Sequence, residues 1–198
     1  MTIQQFLNPF AHLSDRLLWL MAFGATVFGM LIAIYFNVSF DGCFDVHFIE
    51  KISILNAIFY LVTSIAILSL VLFTSGKITN PKTRFIDILI TVCVARIPLY
   101  LLGLMNINNY NYLKTSYLQE IILKNNGDIS KITIALQSMI PFLILSSITA
   151  LAALLLFFVL LFNGYKNATN IKSTTPIIYF VIAVIIAETI SKILISFF

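Results

Sequence analysis

Long apolar runs alternate with short polar breaks along the whole chain, and the runs are too long for strands or ordinary globular helices. Crossing the hydrocarbon of a bilayer as a helix takes about 20 apolar residues. Five windows meet that length: 17–38, 52–74, 85–105, 139–162 and 176–197. The pattern predicts an all-α integral membrane protein with five transmembrane helices in one bundle. Residues 1–16 form a cytoplasmic or interfacial N-terminal segment, and 17–198 the membrane domain. The first window exceeds the apolar core of a cleavable signal peptide and runs into Asn37, Ser39 and Asp41, so it is expected to stay as an anchor. Asp41 also breaks the small-residue pattern that lipidation at Cys43 would need.

The polar stretch after the third window opens with Asn106, Asn108, Asn109, Tyr110, Asn111 and Tyr112, whose tyrosines suit a headgroup layer. Tyr117, Leu118, Ile121 and Ile122 then recur at helical spacing up to a break at Asn125-Asn126-Gly127. This predicts an interfacial helix in the loop between spans three and four. A second helical run from Ser130 leads to Pro141, where the fourth span kinks or begins. Near the N-terminus, Asn8 before Pro9 suits a capped first turn, with a short interfacial helix over Ala11–Trp19.

Composition narrows the class further. With 60% hydrophobic and 10% charged residues and a mean hydropathy of +1.01, an ordinary soluble domain is excluded. Lys and Arg in short connections favour the cytoplasm. Arg16, Lys77, Lys82, Arg84, Lys166 and Lys172 lie on the side of the N-terminus, against Lys51, Lys114, Lys124 and Lys131 on the other. The N-terminus is therefore expected inside and the C-terminus outside. The net charge of +4 reflects this topology. No basic cluster with interleaved aromatics points to nucleic acid. Cys43 and Cys93, at different depths, give neither a disulfide nor a metal pattern, and His12 and His47 lie on opposite sides as surface residues. No metal or cofactor is expected.

Within the spans, small residues repeat every four positions at Ala25, Gly29 and Ala33 and at Ala183, Ala187 and Ser191, a spacing that lets helix backbones approach closely, within the bundle or across a dimer. Asp87 follows Arg84 by three residues, a local structural pair. Arg96 lies about 16 Å into the third span and Glu188 about 18 Å into the fifth, which runs the same way. An isolated charge at such depth costs about 2.5–3.5 kcal/mol, so the two are expected to pair. Pro98 kinks the third span and frees a carbonyl near Val94. The competing arrangements are Glu188 with Lys192, one turn on, and a water-filled cavity.

The stretch Thr83–Leu99, TRFIDILITVCVARIPL, resembles the corresponding segment in bacterial members of the Ypt-interacting-protein (YIP) family. So do Asn163-Gly164-Tyr165 through Asn170-Ile171-Lys172, and Ala187-Glu188 with Ser191-Lys192. The five-span count and a cytoplasmic N-terminus agree with that family. The resemblance implies a helical, non-catalytic YIP-like membrane domain that associates with other membrane proteins. Eukaryotic relatives act with Rab-type GTPases in vesicle traffic. That role does not carry over, because the long cytoplasmic N-terminal region and the Asp-Leu-Tyr-Gly-Pro motif are not found in this sequence. Richness in Ile, Lys and Asn suggests a bacterium of low GC content and hence its cytoplasmic, inner membrane.

Three functions compete. A scaffold that binds other membrane proteins or itself fits the small-residue faces and the resemblance. A small transporter, or the substrate-binding subunit of one, would use Arg96 for an anionic group and Glu188 to relay a proton or cation. An intramembrane enzyme needs a nucleophile with a base, paired aspartates or a metal cluster. Ser64 and Ser69 have no histidine in any span and Asp87 no second aspartate, so catalysis is not expected.

Overall fold

The computed structural model describes residues 3–124, 129–171 and 175–197. Most of them are helical, and five helices are long and apolar enough to cross a membrane: Asp15–Phe36, Ile54–Thr79, the run from Phe85, the helix containing Leu136–Thr169, and Pro176–Ile195. In chain order the helices are α1 (Ile3–Leu7), α2 (Asp15–Phe36), α3 (Ile54–Thr79), α4 (Phe85–Ala95), α5 (Ile97–Leu102), α6 (Tyr110–Lys124), α7 (Ile129–Thr169) and α8 (Thr175–Ile195). Two short strands, β1 (Val38–Ser39) and β2 (His47–Phe48), pair antiparallel, Val38 with Phe48 and Ser39 with His47.

The third span supplies the core. Its most apolar window is the most deeply buried of the five, because α4 and α5 are packed by α2, α3 and α7. α8 packs chiefly on α3. Pro98 lacks an N–H, and its ring conflicts with the carbonyl four residues back, so the helix is interrupted. Arg96 takes φ −76°, ψ −8° between α4 and α5. The backbone leaves the helical region at Asn106.

The small-residue positions all face inward. Ala25 and Ala33 are buried on α2, as are Ala183, Ala187 and Ser191 on α8. Gly29 admits the Tyr100 ring: a Cβ there would lie 2.7 Å from it.

Two local readings are corrected. The Asn8 side chain accepts no capping hydrogen bond, and the turn begun by Pro9 is a three-residue 3-10 helix ending at Ala11. The helix therefore does not run over Ala11–Trp19: the chain breaks through His12–Ser14 and restarts at Asp15. The segment is held by side chains of α7. Asn163 Nδ2 donates to the Leu7 carbonyl at 2.8 Å and Asn167 Nδ2 to that of Phe10 at 3.0 Å. Pro141 lies inside α7, which runs unbroken for 41 residues. The expected break at Asn125–Gly127 lies outside the described residues.

Candidate functional site

The connection between α2 and α3 is a hairpin that folds back into the bundle. Asn37 ends α2 in the left-handed region (φ 52°), a conformation asparagine tolerates. Its side chain accepts from Ile52 N at 3.3 Å and donates to Asn109 at 3.0 Å, which closes the base of the hairpin. Asn106, fully buried, donates to the Phe36 carbonyl at 2.7 Å and accepts from Tyr112 N at 3.0 Å. The asparagine-rich stretch thus stitches the hairpin to the end of the third span.

The tip, Gly42-Cys43-Phe44, sits deep. Cys43 is fully buried and its Sγ lies 3.8 Å from the carbonyl of Ser64, about 15 Å along α3 from Ile54. Non-helical backbone at such depth needs its polar groups satisfied by protein, and the two mid-helix charges do this. Arg96 Nη1 donates to the carbonyls of Cys43 at 2.7 Å and Gly42 at 3.3 Å. Glu188 Oε2 accepts from the N–H of Cys43 at 2.7 Å and of Phe44 at 3.4 Å. A guanidinium only donates and an ionised carboxylate only accepts, so each takes the face of the tip that matches it. Gly42 makes room: a Cβ there would lie 2.6 Å from Glu188 Oε1.

The expected ion pair between Arg96 and Glu188 is therefore corrected. No N–O contact within 4 Å joins them; the main chain of the tip stands between, its carbonyls meeting Arg96 Nη1 and its amides Glu188 Oε2. Glu188 also lies 3.7 Å from Lys192, which itself bonds Asp45 at 2.5 Å. Arg96 is wholly buried against Tyr100, with Cζ 5.7 Å from the ring centroid, and Tyr100 meets Phe40 edge to face at 5.1 Å. Arg96 Nε and Nη2 and the Tyr100 hydroxyl make no hydrogen bond within the protein. Arg84 and Asp87 form a two-pronged pair, both bonds at 2.8 Å.

Above the tip, half-exposed His47 bonds Asp41 at 2.8 Å through Nδ1 and lies 3.7 Å from Asp45 through Nε2. The hydrogen bond to Asp41 raises the His47 pKa. Burial works to raise that of Asp45, but its bonds to Lys192 and the nearby His47 charge bring it below the usual value. Burial also pushes the Cys43 thiol up to about 11, against the lowering influence of Arg96.

Sequence reasoning passed over the hairpin. Its signals were the Asp41-Gly42 turn dipeptide and the alternation of Phe44, Val46 and Phe48 with Asp45 and His47. No family model matches the chain, and no curated protein or solved structure matches it either.

Proposed function

We propose that this chain is a non-catalytic, multi-pass membrane protein of scaffold or partner-binding type. Its five long helices cross the inner membrane as one bundle, with the N-terminus cytoplasmic, the C-terminus outside and α6 along the outer surface. The observation that carries this reading is the engagement of both mid-helix charges with the main chain of one hairpin. Charges committed to fixing a loop that folds back into the bundle serve a rigid scaffold better than a substrate path. The positive-inside bias and the resemblance to bacterial YIP proteins support the same view.

Transport is the second reading, and it rests on Arg96 Nε and Nη2 beside the Tyr100 hydroxyl, donors that could meet a small anion.

The test is purification of the tagged protein in mild detergent from its own membrane, with mass measurement of the intact assembly, for the wild type and for Arg96→Gln. The scaffold reading expects a fixed stoichiometry with a second copy or another membrane protein, and its loss when the hairpin is loosened. A wild-type monomer, with Arg96→Gln retaining full abundance but losing uptake of a small anion, overturns it in favour of transport.

A further inference from the structure

At the end of the bundle where α2 and α4 begin and α7 ends, two cavities of opposite character adjoin. One, about 320 Å³, is polar and includes Asp15, Arg84, Asp87, Thr91 and Asn167 in its wall. The other, about 380 Å³, is an almost wholly apolar groove between α2, α3 and α4, walled by Phe23, Val62, Ala66 and Phe85. Those four residues are exposed, so the groove opens to the outside of the helices. Trp19 and Ile90 line both cavities. A charged chamber adjoining an outward-facing greasy groove across Trp19 and Ile90 suits an amphiphile, with its head in one and a chain in the other.

The charges narrow the head. Arg84 commits Nε and Nη2 to Asp87, which leaves part of its five-donor fork for a phosphate. Neither Ser14 nor Arg84, the residues ahead of α2 and α4, makes a side-chain cap, so the first amides of both helices add donors on the same side. Asp15 is exposed and lines the polar cavity beside Arg84, on which its charge acts, with no cation bonded to it among the described residues, and Trp19 follows one turn later on α2. A carboxylate beside an indole face suits an ammonium group. We infer that this composite site binds a glycerophospholipid with an amine-bearing headgroup, of the phosphatidylethanolamine class. Its phosphate meets Arg84, its ammonium meets Asp15 and Trp19, and one acyl chain lies in the groove toward Cys93.

The inference requires that the helices cross a membrane, and is independent of whether the protein binds partners or transports. Trp19 is the only tryptophan of the chain, so its fluorescence reads the site directly. The purified protein is reconstituted into phosphatidylglycerol vesicles holding a minor fraction of phosphatidylethanolamine with brominated chains, and into the converse mixture with brominated phosphatidylglycerol. Flotation with the vesicles is scored first; a chain that stays out of them overturns the membrane reading itself. For the wild type, quenching by brominated phosphatidylethanolamine is expected to correspond to about a two- to fivefold enrichment at Trp19, the scale of a carboxylate-assisted cation–π contact. Asp15→Asn removes that preference. Ala66→Phe, which fills the groove from its exposed wall, lowers quenching by both lipids. Equal quenching of the wild type in the two mixtures, as lipids exchanging at random give, overturns the inference, as does a preference that survives both substitutions.

Discussion

Exchanging the two mid-helix charges separates a hairpin clamp from a direct ion pair. If Arg96 and Glu188 held each other, the double variant Arg96→Glu, Glu188→Arg would restore what either single change removes. The geometry predicts the opposite. A carboxylate at 96 would face the carbonyls of Gly42 and Cys43, and a guanidinium at 188 the amides of Cys43 and Phe44. Counting only the short bond at each end, both 2.7 Å, the loss is about 3–6 kcal/mol, with about 1–3 kcal/mol more for each main-chain group left buried without a partner. That is comparable with the whole stability of an ordinary domain, about 5–15 kcal/mol. The double swap should therefore be at least as damaged as either single. Glu188→Gln keeps an acceptor for Cys43 and should cost only about 1 kcal/mol, the difference between a charged and a neutral hydrogen bond. The assay is membrane abundance together with melting in detergent, followed by size-exclusion chromatography. A double swap with wild-type abundance and melting would refute the clamp.

Other consequences are open to direct measurement. Gly29→Ala puts a Cβ 2.7 Å from the fully buried Tyr100 ring and should cost about 1–3 kcal/mol by overpacking, read as a lower melting temperature. Gly24→Ala on the same helix meets nothing within 4 Å and should be neutral or stabilising by about 0.5–1 kcal/mol. His47 has a pKa raised above its ordinary 6.5 by the bond to Asp41, so its contribution is complete below that value and is lost as pH rises through the folded-state value. The melting difference between wild type and His47→Gln should accordingly shrink on going alkaline; a difference that widens counts against the Asp41 contact. The Cys43 thiol, buried and pushed up to about 11, should resist maleimide in the wild type and label readily in Arg96→Met, as counted by intact-mass measurement.

The apolar spans were legible because length and hydropathy alone define them, but not all their ends: α2 stops at Phe36, where Asn37 turns left-handed, whereas α3 runs on to Thr79 and α7 extends from Ile129 to Thr169, well past the expected 139–162 at both ends. Arg96 and Glu188 were singled out correctly as residues of one place, since a shared depth can be read from spacing along two helices running the same way. What stands between them could not be read that way. No periodicity states where a connection goes once it leaves a helix, and the hairpin's alternation covers only a few residues. The contacts that fix it join positions 145 residues apart through main-chain atoms, which carry no sequence signal. The N-terminal turn was misread for a related reason. Asn8 before Pro9 has the local chemistry of a cap, but Asn163 and Asn167, far along the chain, decide where that segment lies.

The clamp also imposes an order on biosynthesis. The hairpin leaves the ribosome between the first two long helices, but one of its two anchors, Glu188, belongs to α8, which follows the other described helices in the chain. Until α8 arrives, the amides of Cys43 and Phe44 have no carboxylate to meet, and Asp45 has no Lys192. Closure of the loop therefore waits for α8 and reports its arrival in the bundle. A product that stops before α8 lacks the carboxylate that holds the Cys43 and Phe44 amides and the Lys192 that holds Asp45.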